Sequence, residues 1–229
     1  MSSIKYYAYI SPTKVDMLYS QIPPSIRDGI EAEVKMKLPL AEVSFSKKQV
    51  PDNLYIKLDL VDRYLEGQGV VGSIWKSAEY FRGTLRMGWA QIHPGIVFFG
   101  GKLNETVIGL GGSMNNLLGY QANSSDIPES ISHTPWLISL LSQEAEVMIA
   151  YEFPGGRDKY MQDLKGGQYE AEAEKRVLSA TDSATDYITT RPSKFNTDKF
   201  EFLAKVLKRS NVYGREILLG SPIYVSHSE

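Results

Sequence analysis

The chain has 229 residues, 42% hydrophobic and 23% charged, a balance that suits one globular domain able to bury a core without staples. It has no cysteine, which excludes disulfides, thiolate catalysis and cysteine metal sites. A net charge of -2 argues against general nucleic-acid binding, and no apolar run approaches the roughly 18 residues of a membrane span.

The opening MSSIKYYAYIS has no apolar stretch behind a basic start, so no signal peptide is read there and a soluble, cytoplasmic protein is expected. Residues 4–11 are rich in tyrosine and isoleucine and predict a strand. Ser11 and Pro12 then suit the cap and first position of a helix carrying Val15, Met17, Leu18 and Ile22 on one face. Residues 25–33 predict a short helix. Residues 34–38 and 41–46 alternate at strand period, and 54–65 predict a helix through Leu54, Leu58, Val61 and Leu65.

Residues 79–119 interleave glycine with aromatic and β-branched residues. A strand over 79–89 puts Tyr80, Arg82, Thr84 and Arg86 on one side, and Phe81, Leu85, Met87 and Trp89 on the other. Gly83 marks a bulge or a close backbone approach. Residues 96–99 read as a buried strand, 100–105 as a long turn, and 106–110 as the returning strand. Gly111, Gly112 and Ser113 follow, where a helix could begin. Residues 121–134 read as a polar loop, 135–151 as a helix and 158–183 as a charged helix or mobile arm. Residues 198–209 predict an amphipathic helix on Phe200, Leu203 and Leu207, and 217–225 a last strand, broken at Ser221 and Pro222. These elements predict a single α+β domain over 1–229, with a mainly antiparallel central sheet flanked by helices. Residues 155–197 read as a mobile or inserted segment.

Chemistry is harder to find. The Gly111-Gly112-Ser113 corner has the strand-to-helix context of an anion-holding loop, with Asn115 and Asn116 beside it. It matches neither of the established phosphate-loop spacings, and close packing explains its glycines at least as well. Arg82 and Arg86 share a strand face that suits a phosphate or carboxylate, or equally a solvated face paired with acids. His93, His133 and His227 lie far apart in loops or tail, so no metal site is expected. No nucleophile elbow is present, and Glu172 and Glu174 read as surface charge.

Three segments carry a resemblance: YYAYISPTKVDMLYSQIP; YFRGTLRMGW followed by VFFGGKLNETVIGLGGS; and EFLAKVLKRSN with ILLGSPIYVS. In this order, over most of the chain, they resemble an uncharacterised bacterial family, domain of unknown function 7019, common in actinobacteria. The resemblance supplies no catalytic residue. It implies a sensor or accessory role near conflict or signalling genes, and that the Arg–Gly strand and the glycine corner act together.

The expected function is therefore a non-enzymatic ligand-sensing or adaptor module for a small anionic ligand, such as a nucleotide, in bacterial signalling or defence. Its expected site is Arg82, Arg86, Trp89, Gly111, Gly112, Ser113 and Asn116. One alternative is an enzyme acting on a nucleotide or phosphorylated metabolite, with Ser113, Asn116 or His133 contributing. Another is a structural, oligomerising interaction protein. No cofactor, metal, membrane or general nucleic-acid partner is expected.

Overall fold

The computed structural model describes residues 5–27, 53–76, 78–93, 95–119, 178–179, 181–186, 188–190, 196–212 and 214–228. The elements expected at 34–38, 41–46, 121–134 and 135–151 lie outside them, as do His133, Glu172 and Glu174 and most of 155–197.

Seven strands and two long helices follow in chain order. They are β1 (Tyr6–Ile10), α1 (Pro12–Ser20), α2 (Leu54–Gly67), β2 (Val71–Ser73), β3 (Tyr80–His93), β4 (Ile96–Leu103), β5 (Thr106–Ser113), β6 (Asn196–Val212) and β7 (Arg215–His227). A single 3-10 turn, Met114–Asn116, follows β5.

The expected α+β sheet flanked by helices is not what forms. The strands β3, β4 and β5 make an antiparallel meander, and β6 and β7 make a long antiparallel hairpin. The hairpin joins both free edges of the meander, β6 along β3 and β7 along β5, so five strands close into a barrel. A ring of five strands cannot alternate direction all the way round, so one neighbouring pair must be parallel. That pair is β5 with β7. β1 extends the sheet antiparallel from β7, and β2 runs parallel to β3.

Closure rests on β6, which covers the residues expected to form an amphipathic helix. Phe200, Leu203 and Leu207 do fall at helical spacing. Phe200, Phe202 and Ala204 also alternate at strand period, and all three are buried in the barrel interior. Leu203 faces the other way and is buried under the helices. A strand buried on both faces loses the clean alternation by which strands are read.

The interior is packed solid with Phe81, Leu85, Met87, Val97, Phe99, Ile108, Leu110, Phe200, Phe202, Ala204, Leu218 and Val225. Small barrels are filled by side chains in this way. Glycines make room for the rings. A methyl group on Gly83 would stand 2.7 Å from Phe202, and one on Gly220 would stand 2.6 Å from Phe81. Register is unbroken at Gly83, so it is a close approach and not a bulge.

On the outer face, α1 and α2 bury Val15, Leu18, Leu58, Val61 and Leu65 against Ile10, Tyr80, Leu203, Ile223 and Tyr224. Met17, expected on the buried face of α1, is exposed. A bulge lets Ile223 and Tyr224 both face the helices: Leu203 pairs with Tyr224 and Ala204 with Pro222, which leaves Ile223 between them. The Ile223 carbonyl accepts from the Ser11 backbone N–H at 2.9 Å, fixing the start of α1. The strand β7 is continuous through Ser221 and Pro222. The long turn expected at 100–105 is instead the two residues Asn104 and Glu105, with Asn104 at a φ of 54°.

Candidate functional site

The structure separates the residues that the sequence groups together. Gly111 pairs with Phe98 on β4, and Phe98 pairs with Ala90 on β3. Ala90 lies eight residues beyond Arg82, roughly 25 Å of strand. Gly111, Gly112 and Ser113 are the end of β5, not a loop, and their ladder partners are Phe98, Val97 and Ile96.

The corner is also occupied from within. The buried Tyr9 ring lies against Gly112, where a methyl group would stand 2.4 Å from its hydroxyl oxygen. Asn116 Nδ2 donates to that hydroxyl at 3.2 Å, and the Ser113 backbone and the Ser11 hydroxyl bond it too. Burial pushes the Tyr9 pKa up, and these bonds only partly offset the rise. The groups expected to hold a ligand thus hold the ring that, with Met114 and Leu117, packs against the barrel core. Trp89 packs half-buried against the same cluster, with Phe99 as its partner across the ladder.

Arg82 stands on the outer face, where every donor of its guanidinium is used. Nε and Nη2 donate to Glu66 Oε1 at 3.1 and 2.9 Å, Nη1 and Nη2 both bond Asp62, and Nη1 donates to the Tyr224 hydroxyl at 2.6 Å. Tyr224 donates to Glu201 Oε1 at 2.6 Å, and Lys5 Nζ donates to the same oxygen at 2.6 Å. Burial pulls the Arg82 pKa down, but the bonds to Asp62 and Glu66 and the Asp62 charge reverse this and raise it. Burial also raises the Tyr224 pKa, and burial chiefly pushes Tyr7, beside Tyr224, up to about 12. Glu201 is held below the usual carboxylate range: burial works against this, but Lys5, Tyr224 and Arg82 outweigh it. This cluster ties α2, β1, β3, β6 and β7 together, with no donor left for a ligand.

Arg86 differs. It is exposed and directly opposite Lys199 on β6, and among the described residues it makes no hydrogen bond or ion pair. The next pair in that ladder is Met87 with Asp198. Here β7 ends, leaving a notch beside residues 197–199 of β6. Asp198 Oδ2 lies 2.6 Å from Nδ1 of His227, the last residue of β7. A carboxylate only accepts, so Nδ1 carries the proton and Nε2 is left to face a ligand. Asp198 is held below its ordinary pKa, first by His227, then by the Lys199 backbone N–H, with a contribution from the Arg86 charge. The imidazole also packs on Phe200, centroids 4.8 Å apart.

His227 and Asp198 were passed over in sequence because 29 positions separate them and only the β6–β7 hairpin brings them together. Lys14 was also unmarked. It donates to Ser221 Oγ at 2.6 Å and to the Pro222 carbonyl at 2.9 Å, and burial lowers its pKa to about 8. Among the described residues no group of three or more histidine, aspartate or glutamate side chains could hold a metal ion. No helix among them is long and apolar enough to cross a membrane.

The fold and site define a small closed β-barrel protein with a cation–imidazole notch at the end of one strand. The chain belongs to DUF7019, a family of unknown function, whose model matches residues 5–229. No curated protein and no solved structure matches it.

Proposed function

We propose that the protein is a non-enzymatic ligand-sensing or adaptor module that holds a small anionic ligand at the β7 notch. The observation that carries this reading is the uncommitted guanidinium of Arg86, opposite Lys199 and near His227. A guanidinium that keeps its fork of donors free suits a phosphoryl or carboxylate group. Arg82, its neighbour on the same strand face, has no donor left, so the two arginines of the expected site divide into a structural one and a binding one.

Titration calorimetry with inorganic triphosphate tests the reading. The wild-type chain should bind it, and Arg86→Ala should bind at least tenfold more weakly, with an unchanged circular dichroism spectrum. Binding that is absent in the wild type, or unaltered in Arg86→Ala, would sink the proposal.

One observation favours a second reading, an enzyme acting on a nucleotide or phosphorylated metabolite. Asp198 orients the His227 imidazole and leaves Nε2 as a candidate general base. That reading expects hydrolysis of a phosphate ester, lowered about a hundredfold in His227→Gln. Equal turnover in the two proteins would remove it.

A further inference from the structure

We propose that the anion held at the notch is the phosphate chain of a nucleotide, and that Tyr6 is the platform for its base. This rests on the binding role given to Arg86 and adds the ligand class. Tyr6 is the direct partner of His227 in the β1–β7 ladder, and directly paired residues project from the same face. It is 69% exposed, and among the described residues it makes no hydrogen bond or ring contact.

A large aromatic side chain left in water beside a polar site is costly unless something covers it. The same row of the sheet continues from His227 to Phe200 and from Phe200 to Leu85, the residue before Arg86. From Tyr6 on β1 to Arg86 on β3 is therefore three strand spacings, roughly 14 Å. An inorganic phosphate or a small carboxylate reaches one end of that row. A nucleotide with an extended phosphate chain reaches both, its base on the Tyr6 ring and its terminal phosphate at Arg86. Stacking on a single ring tolerates any base, so the class recognised is the nucleotide and not one base in particular.

Calorimetry on the full chain with ATP, inorganic triphosphate and adenosine separates the two claims. The wild type should bind ATP roughly tenfold more tightly than triphosphate, the margin expected of one stacked base. Tyr6→Leu should remove that margin and leave triphosphate binding unchanged, while Tyr6→Trp should keep it. If the wild type binds ATP and triphosphate equally, or if Tyr6→Leu keeps the margin, the base platform is overturned and the Arg86 anion site stands. If neither ligand binds, both claims fall.

Discussion

Replacing Arg82 with alanine is expected to destabilise the protein by about 3 kcal/mol, the order seen when one member of a partly buried ion-pair network is removed. The size follows from what stays behind. Asp62 and Glu201 have side chains only 21% and 26% exposed, and both lose the guanidinium that neutralises them. Tyr224, 1% exposed, loses the donor at 2.6 Å and keeps only its bonds to Glu201 and Lys5. Repulsion between Asp62, Glu66 and Glu201 then acts between α2 and β6, the two elements that Arg82 clamps. Arg82→Lys should recover less than half of the loss, because an ammonium cannot serve Asp62, Glu66 and Tyr224 together. Urea denaturation followed by circular dichroism reads the effect, and a fall in melting temperature of about 6–12 °C should accompany it. A loss below about 1 kcal/mol would mean that these are solvent-screened surface pairs, and the clamp would be refuted. Triphosphate affinity should be unchanged in Arg82→Lys, which separates the clamp from the ligand site.

The two arginines show how far sequence reasoning reaches. Strand period placed Arg82 and Arg86 on one outer face, where both stand. It also placed Phe81, Leu85, Met87 and Trp89 on the inner one, where all four pack with the core cluster. Which guanidinium is free depends on Asp62, Glu66, Glu201 and Tyr224, three of them on elements remote in sequence from β3. The glycine corner failed for a similar reason. A strand, two glycines and a hydroxyl residue read alike whether the backbone waits for a phosphate or for the ring of Tyr9, more than a hundred positions away. Barrel closure was illegible because β6 is buried on both faces and reads at helical period too. Once it is taken for a helix, no strand remains to join β3 to β7.

The glycines of β3, β4 and β5 carry one further consequence. Gly88 pairs with Gly100, and Gly100 with Gly109, so three glycines stand abreast on the outer face of three adjacent strands. Helical residues at 178–179, 181–186 and 188–189 lie across them. A methyl group on Gly88 would stand 2.4 Å from Ile188, one on Gly100 2.9 Å from the Thr185 hydroxyl and 3.0 Å from its Cα, and one on Gly109 2.5 Å from Thr181. The fit is tight enough that the buried Thr185 hydroxyl has no hydrogen-bond partner. At the side of this lane Lys102 bonds Asp186 and lies 3.4 Å from Asp182, while Arg215 lies 3.1 Å from Asp182. Gly100→Val should therefore cost about 2–3 kcal/mol, since the Thr185 backbone cannot yield as a side-chain tip would. The strain should be released by lifting the helical segment and not by opening the barrel. Hydrogen exchange should then quicken at residues 181–186 and stay slow in β4 and β5. Adding Gly109→Val should cost much less than it does alone, because a lifted segment no longer meets Gly109. Additive losses, or exchange that quickens throughout the barrel strands, would show that the lane belongs to the barrel core and is not a seat for a separable helix.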